Sequence, residues 1–169
     1  VTLRALDVLA SVDLVCAEDT RVSAKLLSAF GLSVRLRPYH DHNGAQARPG
    51  LLNDLEAGAR IALISDAGTP LVSDPGYKLV REAAERGINV IAIPGASAPL
   101  AALASSGLPT DRFVFAGFPP PKSSARRRFL AEMKDVRATL IFFVGSSRLA
   151  ESLADMAGVL GAREAAVPR

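Results

Sequence analysis

The sequence predicts an α/β protein: a parallel-type sheet flanked by helices, with the beginning of a second α/β domain. Short apolar runs alternate with stretches of helical spacing, and this alternation indicates crossover connections between parallel strands. Hydrophobic residues make up 49% of the 169 residues and charged residues 22%, so a disordered chain is excluded. The pattern restarts near residue 112, and we predict domains at residues 1–111 and 112–169.

Four strands are predicted in the first domain, each an apolar run bounded by polar or turn-forming residues. They cover residues 12–17, 33–36, 60–65 and 89–93. The run at 60–65 is apolar nearly throughout, which predicts burial on both faces. Thr2 is expected to cap the opening helix, and Thr20 the second, which ends at Gly31. The later helices are expected to end at glycines, namely Gly58, Gly87 and Gly107.

The second domain is predicted to contain two strands and two helices. The strands cover residues 113–118 and 139–145, and the helices cover residues 124–134 and 148–157. Two strands are too few to form a stable sheet alone. We therefore interpret residues 112–169 as part of a larger α/β unit.

Cysteine and histidine usage excludes two kinds of site. One cysteine, Cys16, cannot form an internal disulfide, and with only His40 and His42 beside it a zinc cluster is not expected. We predict no metal. No apolar run approaches the roughly 20 residues of a membrane span, and no signal segment is evident, so we expect a cytoplasmic protein with no membrane partner.

The basic residues are unevenly distributed. Residues 113–169 contain nine Lys and Arg against five Asp and Glu, whereas residues 1–112 show no basic excess. Four of these cations form a cluster in or beside the helix at 124–134: Lys122, Arg126, Arg127 and Arg128. Such a cluster is typical of a surface that binds an anionic partner such as RNA, and it is equally typical of a solvated helix face.

Two strand-to-helix loops are rich in Gly, Pro and small side chains, at residues 66–76 and 94–98. Ligands of open parallel sheets bind where loops leave the carboxyl ends of strands. Small side chains let a ligand approach the main chain, so the two loops favour a nucleotide-like ligand, although either alone could be only a tight turn. Neither the dinucleotide-binding nor the P-loop glycine pattern occurs.

Longer motifs carry a resemblance to a known family. They are A-E-D-T-R (17–21), S-D-A-G-T-P-L-V-S-D-P-G (65–76), I-P-G-A-S-A (93–98), S-G-L-P (106–109) and F-A-G-F-P-P-P-K (115–122). In this order they resemble the ribosomal RNA small subunit methyltransferase I family of the tetrapyrrole methylase superfamily. The resemblance implies a tetrapyrrole methylase-like fold, S-adenosylmethionine as cofactor, and a homodimer. It also implies methylation of the ribose 2′-oxygen of a cytidine in small-subunit ribosomal RNA.

The resemblance assigns a set of cofactor-binding positions by motif. They are Ala67, Gly68, Thr69, Pro70, Val72, Ser97, Ala98 and Val144. Two segments depart from the family pattern: E-S-P-H-R reads V-G-S-S-R at residues 144–148, and H-x-H-N-E reads H-D-H-N-G at residues 40–44. These departures leave open a non-catalytic relative that binds cofactor or RNA. Other branches of the superfamily leave open a methyltransferase of a tetrapyrrole or related small molecule.

Methyl transfer to a hydroxyl needs a group that accepts or orients its proton. Glu18, Asp19 and His40 follow the first two predicted strands, and we take them as candidate catalytic residues. Asp19 could instead begin the second helix, and His40 could be an ordinary loop histidine. Arg21 is a candidate RNA phosphate contact, or it pairs with Glu18.

Overall fold

The computed structural model describes residues 1–168 and divides into two compact units, Val1–Ser97 and a unit that starts at Ala98. The sequence predicted the division after residue 111. The difference is one helix, Ala98–Ser105, which borders a groove formed by elements of the second unit. None of the helices described here is long and apolar enough to cross a membrane.

The first unit alternates helices and parallel strands, as predicted. Its helices are α1 (Leu3–Ser11), α2 (Thr20–Ala29), α3 (Gly44–Glu56) and α4 (Tyr77–Glu85). Its strands are β1 (Leu14–Ala17), β2 (Leu36–Pro38) and β3 (Ile61–Ile64), and they form one sheet in the order β2-β1-β3. Both pairings are parallel, with Val15 opposite Leu36 and Ala62.

Strand β1 forms the centre of the core because helices cover both of its faces. Val15 is fully buried and packs with Leu9 of α1 and Leu27 of α2. Cys16, which points to the opposite face, is also fully buried and belongs to a cluster with residues of α3 and α4, including Leu51. The alternation of side chains along a strand gives each layer of helices its own half of the core.

The caps of the first two helices explain where they begin. Thr2 caps α1 as predicted, and its hydroxyl accepts a hydrogen bond from the Ala5 amide at 3.2 Å. The prediction that Thr20 caps α2 is wrong, because Thr20 is the first helical residue. The cap is Asp19, whose carboxylate accepts from the Arg21 amide at 2.8 Å.

Three strand predictions in the first unit need correction. Residues 89–93 form no strand: no backbone hydrogen bond joins them to the sheet of the first unit, and Ile91 is 70% exposed. Strand β2 lies two to three residues later than predicted. Strand β3 is half-buried at every position, not buried on both faces, because it lies at the edge of the sheet and pairs with β1 alone among residues 1–168.

The second unit contains helices α5 (Ala98–Ser105), α6 (Ser123–Ala131) and α7 (Leu149–Leu160), a short 3-10 turn at Ser146–Arg148, and strands β4 (Phe113–Phe115) and β5 (Thr139–Ile141). The two strands pair in parallel, with Phe113 opposite Thr139. Helices α6 and α7 pack against each other. Both strands are shorter than predicted, although single hydrogen bonds extend the pairing, from the Ala116 amide to Ile141 and from the Phe143 amide to Gly117.

Candidate functional site

The three strands of the first unit end level with one another. In the parallel register Ala17 lies opposite both Pro38 and Ile64, so the segments that follow them leave the sheet at the same edge. Glu18 and Asp19 follow β1, His40 follows β2, and the loop over residues 65–76 follows β3. The carboxyl edge of a parallel sheet is where such folds bind ligands. The sheet order places the β1 segment between the other two.

The turn at Ala67, Gly68 and Thr69 is exposed and free of bulk. Gly68 has a φ of 76°, and a Cβ atom at this position would meet nothing within 4 Å. The three amide groups donate to no backbone carbonyl within residues 1–168. The turn therefore offers unpaired N–H donors beside open space, which fits a ligand that lies against the main chain.

The other end of this loop is tightly packed. Gly76 has a φ of 125°, and a Cβ there would lie 2.5 Å from Leu63 Cδ2 and 3.5 Å from two Leu71 atoms. Leu71 and Ser73 both have left-handed backbone conformations, with φ values of 72° and 60°. Non-glycine residues in this region cost energy and persist where the surrounding structure holds them, often at ligand sites. Packing at Gly76 thus fixes the loop while the turn before it stays open.

The remaining predicted cofactor positions fall in both units. Pro70 is half-buried and Val72 is exposed in the loop after β3, and Ser97 is half-buried at the end of the first unit. Ala98 and Val144 belong to the second unit, where both line an apolar groove of about 1180 Å³ between α5, β5 and α7. The structure therefore brings Ala98 and Val144 to one groove, and it keeps the open turn accessible in the first unit.

Asp19 and Arg21 form a local ion pair. Arg21 donates to the Asp19 carboxylate from Nε at 3.1 Å and from Nη2 at 2.7 Å, and the Arg21 side chain is 87% exposed. The hydrogen bonds from the Arg21 side chain and amide hold the pKa of Asp19 well below its usual range. Asp19 is therefore a poor proton acceptor. The alternative that Arg21 pairs with Glu18 is wrong, because its partner is Asp19.

His40 lies in a turn that the Asn43 side chain holds by hydrogen bonds, although residues 39–43 look irregular in sequence. The His40 amide donates to Asn43 Oδ1 at 2.9 Å, and Asn43 Nδ2 donates to the Pro38 carbonyl at 2.9 Å. Its ring nitrogen Nδ1 is buried and has no hydrogen-bond partner in the described chain. A buried polar atom without a partner is unusual in a folded protein and is found at catalytic sites among other places. Glu18 is exposed.

Arg126 does not belong to a basic surface. Its side chain is 2% exposed, and it donates to Asp155 Oδ2 from Nε at 2.8 Å, with Nη2 at 2.7 Å from the same oxygen. Its Nη1 donates to the Pro121 carbonyl at 3.1 Å. The prediction that Arg126 contacts RNA is therefore wrong, because its guanidinium group is buried and bonded to Asp155, where it links α6 to α7.

Asp155 is the acceptor at the centre of this contact, and Ser123 donates to it at 2.9 Å. Burial pushes the Asp155 pKa up, but hydrogen bonds from Ser123, Arg126 and Arg127 outweigh it and leave the pKa below its ordinary value. Arg127 lies 3.3 Å from the carboxylate and is half-exposed. Lys122 and Arg128 are exposed and form no ion pair in the described part of the chain. The free positive charge of the cluster therefore comes from Lys122 and Arg128.

Comparisons with known proteins identify the family. The sequence model described as Tetrapyrrole (Corrin/Porphyrin) Methylases matches residues 1–168. The chain belongs to the tetrapyrrole methylase family. A protein of Mesorhizobium japonicum named Ribosomal RNA small subunit methyltransferase I is 56% identical over 100% of this chain and 58% of its own length. A protein of the same name from Escherichia coli O157:H7 is 50% identical over 95% of this chain and 56% of its own. This chain thus spans somewhat more than half the length of these relatives.

A solved structure supports the fold of the chain. The methyltransferase CobJ superposes with a TM-score of 0.59 at 18% identity, over 92% of this chain and 67% of the CobJ chain. The predicted fold class and the predicted resemblance are confirmed. Sequence analysis missed Asp155, because no motif in the sequence includes it. It also missed the left-handed backbone conformations of Leu71 and Ser73, since no residue pattern indicates them. Within residues 1–168, no group of three or more His, Cys, Asp or Glu side chains could hold a metal ion.

Proposed function

We propose that this chain carries the cofactor-binding and part of the RNA-binding surface of an S-adenosylmethionine-dependent methyltransferase. The reaction is methylation of the ribose 2′-oxygen of a cytidine in small-subunit ribosomal RNA in the cytoplasm, and the whole protein acts as a homodimer. The observation that carries the proposal is the exposed turn at Ala67–Thr69 on the carboxyl edge of the sheet. This turn lies open in a chain 56% identical to a protein named Ribosomal RNA small subunit methyltransferase I.

The cofactor would be held mainly by main-chain groups. Ala67, Gly68 and Thr69 supply unpaired amide donors, and the small size of Gly68 leaves room for an adenosyl group. Pro70, Val72 and Ser97 would complete the contact within the first unit. When bound, S-adenosylmethionine supplies a methyl group on a positively charged sulfur that an oxygen nucleophile can attack.

The protein's part in the chemistry is to position the ribose hydroxyl and accept its proton. Methyl transfer requires the oxygen about 3 Å from the methyl carbon and in line with the bond that breaks. His40 and Glu18 are the residues we propose for the proton, since both follow strands that end at the same edge as the cofactor turn. His40 is favoured because histidine is the side chain that most often acts as a general base, and its Nδ1 has no partner among the described residues. Asp19 instead holds Arg21 and the start of α2.

The RNA backbone would contact exposed cations. The Arg21 side chain is 87% exposed and lies beside the carboxyl edge, and Lys122, Arg127 and Arg128 lie on or next to α6. Phosphate contacts of this kind release counterions, so the affinity is expected to fall steeply as salt is raised.

Methyl transfer from labelled S-adenosylmethionine to small ribosomal subunits that lack the modification tests the proposal. We expect label in the RNA and one new alkali-resistant linkage, because a 2′-O-methyl group blocks cleavage at that position. His40→Gln is expected to lower kcat by about 10²- to 10⁴-fold, with cofactor affinity unchanged. Transfer to a tetrapyrrole and not to RNA would favour the small-molecule reading. Cofactor binding with no transfer to either would favour a non-catalytic relative.

A further inference from the structure

Phe118 is an exposed aromatic side chain on a rigid part of the second unit. It is 63% exposed, although it lies three residues beyond the end of β4. The backbone just before Phe118 is fixed by two hydrogen bonds that continue the pairing of β4 with β5. The Ala116 amide donates to the Ile141 carbonyl at 2.9 Å, and the Phe143 amide donates to the Gly117 carbonyl at 2.8 Å. The position of Phe118 is therefore set by strand pairing and not by a free loop.

Other aromatic rings support the Phe118 ring from one side. Its centroid lies 5.2 Å from that of Phe143, with the planes tilted by 53°, and Phe143 packs edge-on against Phe115 at 4.9 Å. Aromatic pairs at these distances stabilise a defined ring orientation. The ring is thus held in place while most of its surface faces solvent.

Exposed cations follow Phe118 along the chain. Pro119, Pro120 and Pro121 follow Phe118, and buried Arg126 holds this segment through the carbonyls of Pro120 and Pro121, at 3.5 and 3.1 Å. The segment leads to Lys122 and then to Arg128, which are exposed and form no ion pair among residues 1–168. An apolar protein partner would leave these cations without a role. Exposed aromatic rings beside unpaired cations are typical of surfaces that bind single-stranded nucleic acid.

We propose that Phe118 is a platform on which an unpaired RNA base stacks, while Lys122 and Arg128 contact the phosphates that flank it. This inference rests on the proposed RNA methyltransferase function, and it names the feature of the RNA that this surface reads: a base outside a helix. Stacking of this kind tolerates any base, because every base offers a π-face.

Fluorescence can detect the stacking directly, since the chain contains no tryptophan. In Phe118→Trp the new indole would be the single emitter of its kind, and we expect a short single-stranded oligocytidylate to quench it. An abasic ribose-phosphate oligomer of equal length should bind through the cations and leave the emission nearly unchanged. Phe30→Trp is the matched control, because Phe30 is 49% exposed in the first unit and should report no quenching with either oligomer.

Affinity provides the second measurement. Phe118→Leu keeps an apolar side chain without a π-face and is expected to weaken oligocytidylate binding about five- to hundredfold, with the salt dependence unchanged. Lys122→Ala and Arg128→Ala should each reduce the slope of affinity against salt. Circular dichroism is expected to show unaltered folding in all three.

Three results would overturn the inference: equal quenching by the abasic oligomer, wild-type affinity in Phe118→Leu, or a change in sedimentation of Phe118→Leu with RNA binding intact. The last would make Phe118 a contact between protein subunits. Each of these outcomes leaves the proposed methyltransferase function standing. That function fails separately if the unaltered chain neither binds ribosomal RNA nor supports methyl transfer to it.

Discussion

Replacing Arg126 with Met decides whether this side chain holds the second unit together or contacts RNA. Met keeps an unbranched apolar chain along the buried path but removes every donor. The lost interactions are those to Asp155 Oδ2, at 2.8 Å from Nε and 2.7 Å from Nη2, and to the Pro121 carbonyl at 3.1 Å. The carboxylate would keep Ser123 at 2.9 Å and Arg127 at 3.3 Å.

The size of the effect follows from the burial of the pair. Removing one partner of a buried ion pair costs about 3–5 kcal/mol, because the other charge is left without compensation. Arg127 still reaches the Asp155 carboxylate, so we expect a loss at the lower end, about 3 kcal/mol. In a chain of this length 1 kcal/mol moves Tm by about 2–4 °C, which predicts a fall of about 6–12 °C.

Thermal unfolding followed by circular dichroism measures this loss, and RNA affinity is measured on the same samples. Arg128→Met is the matched control on the same helix, since Arg128 is exposed. Its free energy of unfolding should change by less than about 0.5 kcal/mol, while its affinity for RNA falls. An Arg126→Met protein with unchanged Tm and weakened RNA binding would refute the structural assignment of Arg126.

Further tests address the cofactor turn, the cysteine and the acid range. Gly68→Asn should abolish S-adenosylmethionine binding in calorimetry, because asparagine tolerates a positive φ but fills the open space; Gly87→Asn, at a φ of 72° with nothing within 4 Å, should bind normally. Burial raises the pKa of Cys16 to about 11, so native protein should react with thiol reagents at least about a hundredfold more slowly than unfolded protein, and equal rates would contradict this. The Asp155 pKa is lowered on folding, so its contribution to stability is present above its ordinary value and is lost as pH falls through the folded value. Asp155→Asn should therefore lower Tm at neutral pH and flatten its decline below about pH 4.

Most parts of the fold that local sequence determines were predicted, the cap of α2 excepted, and those that depend on a distant partner were not. The apolar run around Val15 and the cap at Thr2 are local signals, and the structure has both elements. Residues 89–93 carry an equally apolar run, but a strand also requires a neighbour that accepts its hydrogen bonds, and none of the described residues does so. The aligned strand ends bring Glu18 and His40 to the same edge as the turn at Ala67–Thr69. This alignment follows from parallel register, which the α/β pattern implies.

The four cations of the basic cluster do not share one environment, although they lie close together in the sequence. Adjacent residues of a helix point about 100° apart, so three consecutive arginines cannot all face one partner. Arg126 and Leu130 are one helical turn apart and both are buried, and this i, i+4 relation marks the inward face of α6 from sequence alone. The sequence does not identify the group that accepts the Arg126 hydrogen bonds, because Asp155 lies 29 residues away on α7. Once that pairing is known, the cations left for a ligand are those off the inward face, and Lys122 among them lies next to the proline segment that carries Phe118. The surface we propose for RNA therefore excludes Arg126, because the fold buries that side chain between α6 and α7.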